Sequence, residues 1–331
     1  MYSLIGCEPM QPIQHIAVLT SGGDAPGMNT ALFAIVKTAQ QQGIKVSGVR
    51  KGFEGLIDND LIPLDYKSLQ QSMHLGGTVL KTARSERFRT ETGRQQALAA
   101  IEHNNVDALI VIGGDGSFRG CLWLSHITNI PYIGIPGTID NDIAGTDYTL
   151  GFDTAVNTSM QCIDNIRDTA ESHNRVFIIE VMGRDSGYIG TYAGLTSGAD
   201  SILIPENDKD IDDLLNKIRD YHSEHAFIVV VSEGDEIGVE HVCEKIAAVN
   251  SNIDLRVTKL GHLQRGGNPS AADRMLAIRL GVQSVKALCA GETAIMVGIL
   301  NNAVANTPMQ DVVKQHVISD ELQGLLSVFC R

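Results

Sequence analysis

Residues 108–117, ALIVIGGDGS, decide how the chain is folded. Ala108 to Ile112 form a short apolar run that reads as a buried strand, and it stops on a glycine pair, an aspartate and a third glycine. Other runs of this kind are Ile16–Thr20, Val46–Val49, Tyr132–Ile135, Val176–Val181, Ile202–Ile204 and Phe227–Val231. Amphipathic stretches lie between them: Met28–Gln42, Gly93–His103, Thr154–Ala170, Ile211–His222 and Ala271–Ala290. This βαβ alternation predicts largely parallel sheets with helices on both faces. Ligands of such folds bind at the carboxyl ends of the strands, so the residues just after each strand carry the information.

Bulk properties narrow the function. A chain of 331 residues is long enough for two domains, and 43% hydrophobic with 20% charged residues fits an ordinary globular protein. The net charge of −13 argues against nonspecific nucleic-acid binding and against docking on an anionic membrane. An anionic ligand would need local arginine clusters. Cys7, Cys121, Cys162, Cys243, Cys289 and Cys330 are scattered with no CxxC pair, which predicts free thiols in a reducing cytosol, with no zinc site or disulfide framework. Leu4-Ile5-Gly6-Cys7 lacks the preceding basic region of a lipoprotein signal, and no apolar run approaches a membrane span.

Four stretches carry chemistry. In Gly113-Gly114-Asp115-Gly116-Ser117 the backbone can approach a polyphosphate, with Asp115 holding the Mg²⁺ that neutralises it. A tight strand-to-helix turn with a capping aspartate explains the same residues. Ser21-Gly22-Gly23-Asp24 is a similar corner after the first strand. The run from Lys81 to Arg89 holds four cations and reads either as a solvated face or as an arginine clamp on phosphoryl oxygens. Pro136-Gly137-Thr138-Ile139-Asp140-Asn141-Asp142 sets two carboxylates two residues apart, on one side of an extended backbone. Such a pair suits a base raised by its neighbour, although Asn141 and Asp142 could equally close the strand as an Asx-turn. Finally, Met182-Gly183-Arg184, Ser232-Glu233-Gly234 and Gly261–Gly267 lie at strand ends or glycine turns. Arginine and histidine flanked by glycine suit a phosphate monoester, and a glutamate suits sugar hydroxyls. Each has a routine alternative, Glu233 as a surface carboxylate and His262 as a core histidine.

Together the stretches resemble the phosphofructokinase family. TSGGDAPGMN, GGTVLKTARSERFR, VIGGDGS, IGIPGTIDND, GTDYTLGFDTA, EVMGR and GHLQRGGNPSAADR occur in family order between about Ile16 and Gly298. NAD kinases and lipid kinases share a GGDG-like corner but not EVMGR or GHLQRGG. The resemblance implies two similar Rossmann-like, three-layer α/β domains with mainly parallel sheets and the active site in the cleft between them. Residues 1–150 with about 266–307 would form a larger ATP-binding domain. Residues 151–265 with about 308–331 would form a smaller fructose 6-phosphate-binding domain. The implied reaction is the glycolytic transfer of the γ-phosphoryl of MgATP to the 1-hydroxyl of D-fructose 6-phosphate in a cytoplasmic homotetramer. Sedoheptulose 7-phosphate or tagatose 6-phosphate are alternative acceptors, and a non-catalytic sugar-phosphate-binding subunit is disfavoured by the retained Asp140, Arg84, Asp115 and Arg184.

By matched position, Gly23, Arg84, Ser85 and Gly114 to Ser117 (with Gly116) would line the ATP site, and Asp115 would hold Mg²⁺. Arg84 would bridge the β- and γ-phosphates. Asp140 would be the base, Thr138 would lie beside the transferred group, and Asp142 would support the metal or Asp140. Met182, Gly183, Arg184 and Glu233 would hold the sugar; His262 and Arg265 would take its 6-phosphate. Arg175 and Arg256 would reach that phosphate from a neighbouring subunit. Pyrophosphate-using relatives carry aspartate at the position of Gly116 and lysine at that of Gly137, so ATP is the expected donor. At the family's effector site, Phe33 and Tyr66 stand where arginines are expected and Ser223-Glu224 where lysines are, while Lys37, Arg167 and Asp200 match. Weak or absent regulation by nucleotide diphosphate and phosphoenolpyruvate is therefore expected.

Overall fold

The structure, a computed structural model, describes residues 12–207, 209–222, 225–235, 238–314 and 317–330. Cys7, the extension preceding Ile16 up to residue 11, and Ser223-Glu224 lie outside them. The strands are β1 (His15–Ser21), β2 (Lys45–Val49), β3 (Leu61–Pro63), β4 (Ala108–Gly113), β5 (Tyr132–Pro136), β6 (Val176–Val181), β7 (Ser201–Leu203), β8 (Phe227–Ser232), β9 (Leu255–Lys259), β10 (Ile295–Leu300) and β11 (Ala303–Pro308). They form two sheets, ordered β11-β10-β5-β4-β1-β2-β3 and β7-β8-β6-β9. The second is parallel throughout, and the first is antiparallel only where β3 and β11 close its edges.

The helices are α1 (Met28–Gln41), α2 (Gly52–Ile57), α3 (Tyr66–Gln70), α4 (Glu91–His103), α5 (Asp115–Ser125), α6 (Phe152–Glu171), α7 (Tyr188–Thr196), α8 (Asp210–Arg219), α9 (Gly238–Val249), α10 (Ala271–Cys289) and α11 (Asp320–Phe329). Parallel strands buried on both faces read as unbroken apolar runs, because alternate side chains feed different cores. Ile16, Val18, Ile110 and Ile112 join one cluster, whereas Ala17, Leu19, Leu109 and Val111 join another on the opposite face. The first cluster also contains Ile179, Val181, Ile228 and Val230 of the second sheet, so one apolar layer runs continuously between the two units.

Sequence reading missed β3, β9, β10 and β11. The edges β9 and β11 are mostly exposed, and polar residues interrupt both, so they lack the unbroken apolar run that marks a central strand. Helix α10 crosses back to pack on α1, where Gly281 permits the approach: a Cβ there would lie 2.8 Å from the Ala34 Cβ and 2.9 Å from the Ala31 carbonyl oxygen.

Asp273 of α10 ties this crossover to α6. Its carboxylate is 1% exposed and accepts hydrogen bonds from the Gly151 and Thr154 amides, both at 2.8 Å, and from the Thr154 hydroxyl. It thereby satisfies amides at the start of α6 that have no partner within the helix. Asp273→Ala would orphan them, and chemical denaturation should show a loss of about 2–3 kcal/mol. Asp273→Asn, which keeps one acceptor, should lose less.

Candidate active site

The strands β1 and β4 are neighbours, but their connections leave in opposite directions, β1 toward β2 and β4 toward β5. Such a switch point opens a crevice at the carboxyl ends. A cleft of about 450 Å³ lies there, lined by Gly22, Gly23, Arg84, Ser85, Gly114 to Ser117, Thr138, Asp140, Asp142, Arg184, Arg265 and Lys314.

Local structure explains the corners. Gly22 has a φ of 88°, and the Thr82 hydroxyl donates to its carbonyl at 2.7 Å. Beside it the Arg265 guanidinium packs so closely that a Cβ on Gly23 would lie 2.7 Å from Nη1. Ser117 sits under both corners; a Cβ on Gly113 would lie 2.4 Å from its Oγ. Asp115 opens α5, and its carboxylate accepts from the Arg119 guanidinium one turn on, with Nε at 3.1 Å. At Gly116 a Cβ would meet nothing within 4 Å.

The cationic run divides between its two readings. Arg87 pairs with Glu54 at 2.6 Å and Asp58 at 2.8 Å, and Arg89 pairs with Glu86 at 3.2 Å, a surface face. Arg84 instead lines the cleft. Ser85 also lines the cleft, but its hydroxyl is committed to Glu54 and to the Phe88 amide.

The segment after β5 corrects the extended reading of the two carboxylates. Asn141 is left-handed, with a φ of 52°, so the backbone turns between Asp140 and Asp142. Asn141 is the clasp of that turn: its Oδ1 accepts from the Thr149 amide at 2.8 Å and its Nδ2 donates to the Asp147 carbonyl at 3.1 Å. The Asp140 amide donates to the Thr138 hydroxyl at 3.3 Å. Both aspartates are 3% exposed, and both line the cleft despite the turn.

Asp140 is set against cations from the second unit. Arg184 Nε lies 3.7 Å from its Oδ2, and Arg265 Nη2 lies 3.9 Å from its Oδ1. Oδ1 is nevertheless buried without a hydrogen-bond partner among the described residues. Burial, and then the charge of Asp142, raise the Asp140 pKa above its ordinary 3.8, against the pull of Arg265 and Arg184. A carboxylate with raised proton affinity and an open oxygen can take a proton from a hydroxyl placed in the cleft.

Arg184 is held by its backbone. Gly183 and Arg184 have φ of 149° and 53°, the Arg184 amide donates to Glu233 Oε1 at 3.2 Å, and the Met182 amide donates to Gln264 Oε1 at 3.1 Å. A Cβ on Gly234 would fall 1.5 Å from the Arg184 carbonyl oxygen, so only glycine fits there. Met182 is buried, and Glu233 acts as a clasp of this loop rather than as a bare surface carboxylate. His262 is exposed, which removes the core-histidine reading. Arg175 and Arg256 are not brought to this cleft. They sit at the amino ends of β6 and β9, sharing Asp254 at 2.7 and 3.0 Å.

Two residues of the site were given no role in the sequence reading, Gln264 although it lies within GHLQRGG and Lys314 outside every motif. Gln264 is fully buried and joins Met182, Ser159 and the Gly261 carbonyl. Lys314 lies far along the chain and places Nζ 3.1 Å from Asp142 Oδ2. No group of three or more His, Cys, Asp or Glu among the described residues is disposed to hold a metal ion by itself. No described helix is long and apolar enough to cross a membrane.

The family model described as Phosphofructokinase matches residues 15–288. The ATP-dependent 6-phosphofructokinase of Clostridioides difficile is 45% identical over 322 residues, covering 96% of this chain and 100% of its own. Pichia pastoris phosphofructokinase in the T-state is 34% identical with a TM-score of 0.84 over 93% of this chain, which spans 36% of the Pichia chain. The pyrophosphate-dependent phosphofructokinase of Marinobacter aquaeolei, 22% identical, has a TM-score of 0.84 over 96% of this chain and 92% of its own, which shows the fold alone.

The raised pKa of Asp140 has a thermodynamic sign. A fold that favours the protonated acid is fully stabilised by it below pH 3.8, and that stability is lost as pH rises through the raised value. At pH 7–8 Asp140→Asn should therefore stabilise the fold, by on the order of 1 kcal/mol, the cost of an ill-partnered buried oxygen. Denaturant titrations should show the gain vanish below the ordinary aspartate range.

Proposed function

The chain belongs to the phosphofructokinase family, and from that premise we propose that it transfers the γ-phosphoryl of MgATP to the 1-hydroxyl of D-fructose 6-phosphate, with Asp140 as the general base. The observation that carries this reading is the buried Asp140 carboxylate, open at one oxygen, between the glycine corners of one unit and the arginines of the other.

The larger unit, residues 1–150 with about 266–307, takes the nucleotide on Gly22-Gly23 and Gly114 to Ser117, where backbone amides and the start of α5 face the phosphates. The smaller unit, residues 151–265 with about 308–331, takes the sugar on Met182, Gly183, Arg184 and Glu233, with His262 and Arg265 on its 6-phosphate. Asp140 accepts the proton as the sugar O1 forms its bond to the γ-phosphorus and the bond to the β–γ bridging oxygen breaks. Arg84 and Arg184 offset charge on the phosphoryl oxygens, and Thr138 lies beside them.

Asp115 would hold Mg²⁺, with Asp142 supporting the metal or Asp140; the bound ion would supply positive charge to the phosphate oxygens. A single carboxylate at a glycine cradle suits a cation that arrives with its nucleotide, because Mg²⁺ is commonly held by one or two carboxylates together with substrate phosphates. Arg175 and Arg256, ordered by Asp254 outside the cleft, are disposed to serve a neighbouring subunit of a homotetramer. Scattered cysteines, free where described, accord with a cytoplasmic enzyme.

ATP is the donor because the chain offers glycine at 116, where an acidic side chain would project into open cleft space toward the α-phosphate. Since a pyrophosphate-dependent relative shares the fold, only such positions distinguish donors. Purified protein should convert fructose 6-phosphate with MgATP and be at least about 100-fold slower with pyrophosphate, and Asp140→Ser should lower kcat by about 100-fold or more while leaving sugar affinity within a few fold. Equal rates with both donors, or near-normal turnover in Asp140→Ser, would refute the assignment.

The effector residues are spent on other contacts. Lys37 Nζ lies 4.0 Å over the ring of Tyr66, and Arg167 donates to the Ser197 and Gly198 carbonyls at 2.8 and 2.7 Å. Titration with ADP or phosphoenolpyruvate should change the rate at sub-saturating fructose 6-phosphate by less than about twofold, the effect of a few tenths of a kcal/mol.

A further inference from the structure

Lys314 stands outside every motif by which the sequence was read, yet it reaches into the catalytic cleft. The segment that carries it follows β11 and is anchored by buried Met309 and Val312. The Ala144 amide donates to the Val313 carbonyl at 3.0 Å, and Lys314 bridges antiparallel to Ile143. The backbone behind Asp142 is thereby fixed to the C-terminal segment. The Lys314 ammonium then lies 3.1 Å from Asp142 Oδ2 and 3.4 Å from Asp185 Oδ2. Asp142 is two residues from Asp140, and Asp185 follows Arg184.

We propose that Lys314 is a positioning residue for phosphoryl transfer, one that sets the Asp140 loop against the Arg184 loop by bridging Asp142 and Asp185. This inference rests on the reading of Asp140 as the base. On the buried side the two loops are joined by Ser186 Oγ, which donates to the Asp140 carbonyl at 3.1 Å. Lys314 closes the more open side, where Asp185 is 70% exposed and Asp142 5%. The left-handed backbone at Arg184 and at Asn141 makes both loops dependent on such clasps. Lys314 also supplies the cation that lets a second carboxylate be buried beside Asp140. Burial alone would pull its pKa down, but Asp142 and Asp185 more than offset this, so Lys314 stays charged.

Loss of the bridge should act on turnover rather than on binding. Lys314→Met should lower kcat by roughly 10- to 100-fold, as expected when reacting groups shift by about an ångström. KM for ATP and for fructose 6-phosphate, and the calorimetric affinity for fructose 6-phosphate alone, should stay within about threefold. Lys314→Arg should recover most of the lost turnover. The inference is overturned if folded Lys314→Met turns over within about twofold of the parent, or if the loss lies in KM with kcat unchanged. Should Lys314→Met not fold, Asp185→Asn weakens the exposed half of the bridge. It should lower kcat by about threefold at constant KM, and an unchanged kcat overturns the inference. A parent protein inactive with MgATP and fructose 6-phosphate would defeat the underlying reading instead, which separates the two failures.

Discussion

Burying two like charges at the end of one strand is the constraint around which the molecule is arranged. Asp140 and Asp142 are both withdrawn from water, and an unpaired carboxylate in such a place costs several kcal/mol. The offsetting cations are not local. Arg184 follows β6, Arg265 follows β9, and Lys314 follows β11. The carboxylates of the first sheet are therefore compensated only when the second unit and the C-terminal segment are in place. Packing has yielded to this need: Gly23 leaves room for the Arg265 guanidinium, and Gly234 leaves room for the Arg184 carbonyl. Compensation is also incomplete, since Asp140 keeps one oxygen without a hydrogen bond. An oxygen left open on a buried carboxylate is a departure from the best-satisfied structure of the kind found at functional sites.

The same balance explains why the cations stand back from Asp140. A guanidinium bonded bidentately would hold the carboxylate ionised and weakly basic. At 3.7 and 3.9 Å, Arg184 and Arg265 stabilise the charge without capping it. Burial and Asp142 then win, and proton affinity rises. Asp142 instead has Lys314 in direct contact at 3.1 Å. Two aspartates from one short loop thus hold their cations at different distances.

What the sequence revealed depended on whether a residue acts through its neighbours in the chain. Most buried strands, the glycine corners and the crowded aspartates were legible because an apolar run, a glycine pair or a charge doublet is a local pattern; β10 was missed although it too is a buried apolar run. The orientation of Asp142 was misread for a local reason too: alternation holds only in extended backbone, and Asn141 is left-handed. The ambiguity of the run from Lys81 to Arg89 needed tertiary structure, since Arg87 finds its partners on α2 and the turn after it, at Glu54 and Asp58. Gln264 and Asp273, although inside the GHLQRGGNPSAADR stretch, and Lys314, outside every motif, could be given no role for the same reason. Each makes contacts more than 80 residues away, which no local pattern announces. Edge strands β9 and β11 escaped notice because an exposed edge need not be apolar.

The two glycines on which the proposed assignment of the phosphate donor rests are not equivalent. A side chain at 116 would enter open space, so its effect would be felt by the ligand and hardly by the fold. At 137 a Cβ would lie 3.0 Å from Ile112 Cγ2 and 3.1 Å from Met28 Cε, both buried in the apolar layer shared by the two units. A larger residue there must displace β4 or α1 side chains before its end can reach the cleft, and a close-packed core resists such shifts. A side chain at 137 is therefore tied to the packing of Met28 and Ile112, whereas one at 116 is free of the core. Under the proposed donor assignment, a substitution at 116 would meet only what occupies the cleft, and one at 137 would first have to repack the interior.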